Sequence, residues 1–393
     1  MNAEKPDEEP LFPPSPDGFR RFDDDDDDMI PNVEVIVAPK QGFGFWKAFL
    51  WCLLFLLLTQ IMPALIIIPV VLATEWSELK TEMTSIQEEL ADADGKVDQA
   101  KFIERALQSR VITQIVQLAV LSGPMAGIVF SLIVLPRRFG RDWIRKIAFK
   151  MPHFEHVVLV VLLALPVLVF SGMLEGLLMK WVHDNSRTEL EVFLESMRSW
   201  PAFILIMGIA VGPAISEELF CRGFLGHGLV SRYGTAVGIT LTSIFFGAIH
   251  MNLVQGIFAA LIGVVLHLVY IASRSILVPM LLHFINNFIV ITSLSKEMPI
   301  PIGKSLEDAV KFAPLQMLIA SVLMAGSIAW ALYATRVRIY LPNGSAAPAR
   351  LYPHVQEPLP GSANQAIAGP FPNAALACVI TSTLIFAAIW FGI

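Results

Sequence analysis

The sequence carries little charge and few cysteines for its length. Of its 393 residues, 16% are charged and 55% are hydrophobic, a balance that a soluble domain of this size would not show. The three cysteines, Cys52, Cys221 and Cys378, are far apart in the chain and form no CxxC pair. This spacing argues against a disulfide framework and against a thiolate metal site. The high apolar content and the low charge together indicate a protein that lies in a membrane.

Apolar runs close to the roughly 20 residues that cross a bilayer recur along the chain. They predict an all-α polytopic membrane protein with about eight or nine transmembrane helices. The expected spans are 43–73, 111–135, 157–179, 202–224, 236–251, 253–272, 276–295 and 314–335, with 374–393 as a ninth span or an appended apolar helix.

Polar segments divide this predicted transmembrane domain, 41–340, from its flanks. Residues 1–40 are acidic and proline-rich, with six aspartates in a row, and predict a disordered cytoplasmic tail. Within 75–110, apolar residues recur every three or four positions, which predicts a helical hairpin outside the lipid. Residues 341–373 are rich in proline and glycine and predict a linker to the apolar helix 374–393.

A basic loop predicts the orientation in the membrane. The segment PRRFGRDWIRKIAFK, residues 136–150, carries six basic side chains and one acidic side chain. Because cytoplasmic loops are enriched in lysine and arginine, we expect this loop and the N-terminus to be cytoplasmic. The layout suggests a bacterial inner membrane.

The expected fourth span ends in an unusual charged stretch, SEELFCR at 216–222. A charge at the centre of a bilayer costs at least about 2.5 kcal/mol, so charged residues in spans are candidates for function. Glu218 and Arg222 are four positions apart and share a helix face, which predicts an ion pair. Glu217 is left without a cation nearby in the sequence.

Two later spans each carry a histidine with a second notable residue four positions away. Phe246 and His250 lie in the fifth span, and His283 and Asn287 lie in the seventh. Spacing alone is compatible with water activation, metal ligation, proton transport or a buried structural cluster. The pattern nevertheless predicts one site to which the fourth, fifth and seventh spans contribute.

The three segments together resemble the CPBP family of intramembrane proteases, which includes CAAX-processing endopeptidases and lysostaphin resistance protein A. EELFCR at 217–222 matches E-E-x-x-x-R, FGAIH at 246–250 matches F-x-x-x-H, and HFINN at 283–287 matches H-x-x-x-N. The resemblance covers a protease-like core at about 200–295. It implies an endopeptidase that hydrolyses a peptide bond in a membrane-associated peptide or protein.

The resemblance also implies roles for individual residues. Glu217 would be the general base, helped by His250 in orienting a water molecule, because a carboxylate taken out of water accepts a proton more readily. His283 and Asn287 would donate hydrogen bonds to the oxyanion.

Three further residues would support that site. Glu218 and Arg222 would form a supporting ion pair, and Phe246 would pack against the His250 ring.

A zinc enzyme is the alternative mechanism. Glu217, His250 and His283 are of the types that hold catalytic zinc. The sequence contains no HExxH, and asparagine is a poor zinc ligand. We therefore expect no metal cofactor, with zinc as the alternative.

Other functions compete with proteolysis. A scaffold or regulator of the same fold would keep the helices without the chemistry, and a transporter would be expected to show inverted repeats or paired broken helices. No such repeat is evident in the sequence. The expected partners are the bilayer and a peptide substrate, and no nucleic acid.

Overall fold

A computed structural model describes residues 42–92, 95–178, 195–294, 302–347 and 355–393. The described chain is almost entirely helical, with one small antiparallel strand pair. Its helices are α1 (Phe45–Leu90), α2 (Gln99–Ala106), α3 (Arg110–Phe139), α4 (Trp143–Lys146), α5 (Phe154–Leu178), α6 (Ala202–Tyr233), α7 (Thr235–Ala248), α8 (Leu253–Ser273), α9 (Leu277–Leu294), α10 (Ile302–Phe312), α11 (Pro314–Thr335) and α12 (Asn373–Phe391).

Seven helices in the described part are long and apolar enough to cross a membrane, judged by length and composition. Two shorter apolar helices, Thr235–Ala248 and Leu277–Thr292, lie between them in the sequence. The prediction of an all-α polytopic membrane protein is confirmed. The predicted acidic tail at 1–40 lies outside the described residues.

Helix α1 is longer than the expected first span. It runs without a break from the apolar segment into the polar residues up to Leu90, because residues 70–90 contain neither glycine nor proline. The backbone changes to a π turn at Leu57–Ile61, immediately before Pro63. Proline has no N–H to donate to the preceding turn, and a π turn is one way in which a helix absorbs that defect.

Ion pairs connect α1 with α2 and with the first residue of α3, within the segment predicted as a hairpin. Arg110 Nη1 lies 3.2 Å from Glu78 Oε1, and Arg105 Nη2 lies 3.7 Å from Glu89 Oε2. We name residues 75–110 the polar hairpin. Its position outside the lipid remains a prediction.

Helices α3 and α6 approach each other closely where α6 has glycine. A methyl group added at Gly208 would lie 2.6 Å from Val120 Cγ1, and one at Gly212 would lie 2.7 Å from Pro124 Cβ. Small residues let helix backbones meet in lipid, where van der Waals packing replaces the hydrophobic effect between helices. This contact fixes the helix that carries the charged stretch.

The C-terminal region contains structure that the sequence did not predict. Strand β1 (Val337–Tyr340) pairs with strand β2 (Gln365–Ala368), so part of the predicted linker at 341–373 is a strand. Residues 355–357 pack on the basic loop. Lys150 Nζ in that loop lies 2.9 Å from Glu357 Oε2, and Arg274, which follows α8, donates from Nη1 to the Gln356 carbonyl at 2.8 Å.

Candidate active site

The charged stretch lies between two π turns of α6. The first is Ile206–Val211 and the second is Leu219–Gly226, with Gly212–Glu218 as regular helix between them. A π turn adds one residue to the turn and shifts the side chains that follow it, and such turns are frequent at functional sites. Here the two turns bracket Glu217 and Glu218.

Glu218 and Arg222 form the ion pair that their spacing predicts. Arg222 Nη1 donates to Glu218 Oε1 at 2.7 Å, and both side chains are 0% exposed. Arg222 Nη2 donates to the Gly263 carbonyl on α8 at 2.9 Å. The guanidinium therefore ties α6 to α8 while it offsets the buried carboxylate charge.

Glu218 also holds His283, across from α6 to α9. His283 Nδ1 lies 2.9 Å from the same Oε1 atom that Arg222 contacts. An ionised carboxylate only accepts hydrogen bonds, so Nδ1 carries the proton in this pair. The bond fixes the ring orientation and leaves Nε2 for chemistry, as carboxylates commonly do for functional histidines.

Glu217 faces the other nitrogen of the same ring. Its Oε2 lies 3.9 Å from His283 Nε2, and its side chain is 19% exposed. Oε2 itself is buried and has no hydrogen-bond partner within the described ranges. A separation of 3.9 Å is too long for a direct hydrogen bond, yet one oxygen atom can contact both groups at about 2.8 Å.

The Phe246 ring connects the two histidines. Its centroid lies 5.2 Å from that of His250 and 5.7 Å from that of His283, both in edge-to-face geometry. The Arg222 guanidinium lies 4.5 Å from the same ring centroid, within cation–π range. Phe246 is therefore a packing centre for three polar side chains, a larger part than the predicted contact with His250.

The Phe246 backbone orients His250 as well. His250 Nδ1 donates to the Phe246 carbonyl at 2.9 Å. A carbonyl can only accept, so Nδ1 is protonated and Nε2 of the neutral ring is an acceptor. The His250 side chain belongs to a partly exposed residue, and its Nε2 makes no hydrogen bond within the residues that the structure describes.

Asn287 contacts the first π turn of α6. Its Nδ2 donates to the Ile209 carbonyl at 2.9 Å. Pro213 lies four residues after Ile209 and has no N–H for that carbonyl, so the asparagine supplies a donor in its place. A carboxamide has two N–H bonds, so this contact leaves one for another acceptor.

The structure thus joins Glu218, Arg222, Phe246 and His283 by direct contacts, places Glu217 Oε2 3.9 Å from His283 Nε2, and packs His250 against the same Phe246 ring. Asn287 is one helical turn beyond His283 and is tied to α6 separately. Sequence reasoning missed the bond from Glu218 to His283, because no spacing rule relates residues on different helices.

The zinc alternative requires three ligands around one point. Within the part of the chain that the structure describes, no group of three His, Cys, Asp or Glu side chains is arranged to hold a metal ion. His283 Nε2 and Glu217 Oε2 lie 3.9 Å apart, and the bond from His283 Nδ1 to Glu218 is of a kind that metal-bound histidines also make. No reaction step is assigned to a metal.

A comparison with protein families gives a match over the region that contains this site. Residues 198–289 match the type II CAAX prenyl endopeptidase Rce1-like family, in agreement with the resemblance seen in the motifs. Searches of curated proteins and of solved structures give no significant match. This region of the chain is therefore similar to an Rce1-like endopeptidase domain, and it lies within a larger set of apolar helices.

Proposed function

We propose that this protein is an intramembrane endopeptidase in which Glu217 activates the water that attacks the peptide bond. The observation that carries the proposal is the arrangement around His283. Glu218 holds Nδ1 at 2.9 Å, and the buried Oε2 of Glu217 stands 3.9 Å from Nε2. One water oxygen placed between these two atoms would lie about 2.8 Å from each, in a region that matches a family of endopeptidases.

The proposed reaction has two steps. The water oxygen bonds to the carbonyl carbon of the scissile amide while its proton moves to the Glu217 carboxylate. The C–N bond then breaks, and the proton on Glu217 goes to the leaving amine. His250 orients the water through Nε2, since its Nδ1 is already engaged with the Phe246 carbonyl.

The oxyanion formed in the first step is assigned to His283 and Asn287. Asn287 has one N–H left after its bond to Ile209. His283 donates through Nε2, and since Nδ1 donates to Glu218, this role requires the doubly protonated ring. Removing one such donor from a water-poor site typically lowers kcat by about 10²–10³-fold.

The substrate class is a peptide or protein tail associated with the membrane. The name of the matched family makes a prenylated CAAX peptide the first probe to use. We further propose that the N-terminus is cytoplasmic, that the membrane is a bacterial inner membrane, and that the site is reached from the cytoplasmic half.

The decisive experiment compares the wild type with Glu217→Gln in proteoliposomes. The assay uses quenched fluorescent peptides, including a farnesylated CAAX-type peptide, in water enriched in ¹⁸O. Loss of the general base should lower kcat/KM by about 10²–10⁴-fold. The wild-type product should carry one ¹⁸O atom in its new carboxylate.

The matched control is Glu78→Gln, which makes the same chemical change in the polar hairpin. Its cleavage rate should equal that of the wild type. Full activity of Glu217→Gln would reject the general base. Zinc bound at one ion per chain, with activity lost on its removal, would favour the metal mechanism. No cleavage of any membrane peptide by the folded wild type would favour the scaffold.

A further inference from the structure

Asn286 is a neighbour of the proposed site to which neither the motifs nor the mechanism gives a role. It lies on α9 between His283 and the end of the helix, next to Asn287, and is partly buried. Its Nδ2 donates to Asn287 Oδ1 at 3.3 Å. Its Oδ1 is buried and has no hydrogen-bond partner in the described portion of the chain.

The two adjacent carboxamides differ in how they are satisfied. Asn287 uses both ends, since Nδ2 donates to Ile209 and Oδ1 accepts from Asn286. Asn286 uses only its donor end. A role in orienting Asn287 would account for that donor, but it gives no reason for an unpaired acceptor, which costs free energy when buried.

A peptide substrate would bring the missing donor. A peptide must be extended to be cleaved, and in a water-poor site its backbone N–H groups have no partner unless the enzyme offers acceptors. Enzymes and peptide-binding domains satisfy such strands through main-chain hydrogen bonds. Asn286 is three residues beyond His283, on the helix that also carries both assigned oxyanion donors.

We propose that Asn286 is a substrate-binding residue whose Oδ1 accepts a hydrogen bond from a backbone N–H of the peptide close to the scissile bond. This role rests on the proposed function, because it requires that a peptide be cleaved at Glu217 and His283. The ligand class is an extended peptide, recognised through its backbone and not through one side chain.

The test combines a variant with an altered substrate. A series of farnesylated, quenched CAAX-type peptides replaces one amide by an ester at a time, on either side of the scissile bond but not at it. Each ester removes one N–H. The full-length wild type in proteoliposomes should lose about tenfold in kcat/KM at one ester position, the value of a single hydrogen bond.

Asn286→Leu should show the same loss of kcat/KM with the all-amide peptide. Placing the ester at the sensitive position should then lower its kcat/KM no further. Asn286→Asp keeps an acceptor oxygen and should retain the wild-type ester profile. If Asn286→Leu fails to fold, Asn286→Ala serves for the same comparison.

Two results would overturn the role. An ester profile that is the same in the wild type and in the Leu or Ala variant means that Asn286 accepts no substrate N–H. The second result is that the Leu or Ala variant lowers only kcat, by the same factor as Asn287→Ala, with no further loss when the two changes are combined. That result means that Asn286 only positions Asn287. Failure of the folded wild type to cleave the all-amide peptides rejects the proposed function itself, and this role with it.

Discussion

The ion pair inside α6 and the ion pairs of the polar hairpin have similar geometry and opposite surroundings. Glu218 and Arg222 meet at 2.7 Å with both side chains 0% exposed. In the hairpin, Glu78 and Arg110 meet at 3.2 Å with side chains 37% and 65% exposed. The same chemical groups are therefore fully buried in the helix bundle in one place and exposed at the surface of the chain in the other.

The difference in burial indicates which ion pair has a function beyond stabilising the fold. An exposed pair costs little to form and contributes about 0–1 kcal/mol. A buried pair loses much of its Coulomb energy to desolvation and is often replaceable by apolar residues. Glu218 and Arg222 are better explained by what they hold, namely His283 through Glu218 and the Gly263 carbonyl through Arg222.

A third pair lies between these extremes. Lys150 and Glu357 meet at 2.9 Å with side chains 32% and 15% exposed. This pair joins the basic loop to a segment more than 200 residues later, and the Arg274 bond to the Gln356 carbonyl supports it. The three pairs form a series of decreasing burial.

The largest effect on stability is expected for Arg222→Met. It leaves the Glu218 carboxylate buried without its guanidinium, which should lower the free energy of unfolding by about 3–5 kcal/mol. Unfolding by SDS in mixed micelles measures the change. The double variant Glu218→Leu with Arg222→Leu should recover part of the loss, since no charge is then left unpaired. A loss below about 1 kcal/mol for Arg222→Met would contradict the expected difference between the buried and the exposed ion pairs.

Glu218→Gln should mainly affect activity. The amide is similar in size, but it lacks the charge that fixes the His283 ring, so kcat should fall about 10–100-fold in the folded protein. The peptide cleavage assay measures this, with Glu89→Gln in the hairpin as the matched change. A kcat equal to that of the wild type would mean that Glu218 does not position His283.

Glu357→Gln should cost about 1 kcal/mol in the free energy of unfolding. The ion pair to Lys150 is partly screened by solvent, while the backbone bonds of residues 356–357 remain. Protease sensitivity of the C-terminal region, compared with that of Glu357→Asp, reports the same contact locally. A loss as large as that of Arg222→Met would contradict the ranking by burial.

The smallest effect is expected for Arg110→Gln. Its pair with Glu78 is exposed, so the free energy of unfolding should change by less than about 1 kcal/mol, and the change should vanish at high salt. Unfolding curves at two salt concentrations test this. A larger effect that persists in salt would indicate that the hairpin packs against another element.

Local patterns accounted for much of the fold. Hydrophobic length located the apolar helices, and the spacing of four located the Glu218–Arg222 pair, because both depend on residues close together in the chain. The first span was predicted from its apolar residues to end near 73, and the structure shows that the same helix continues to Leu90. Hydropathy reports where an apolar run ends, and residues 70–90 contain neither glycine nor proline to end the helix there.

The contacts between distant residues could not be predicted in this way. The bond from His283 to Glu218 spans 65 residues, and that from Asn287 to Ile209 spans 78. The β1–β2 pair escaped notice because each strand has only four residues. Such short segments carry too little periodic signal to distinguish them from a linker.

By itself, the sequence determined that this chain is a bundle of apolar helices with charged and polar groups at set positions along three of them. Only the tertiary structure decided that one Glu218 oxygen serves both Arg222 and His283, and that Glu217 faces the remaining ring nitrogen. Helical spacing fixes which residues share a face, whereas the packing of helices against one another fixes which faces meet.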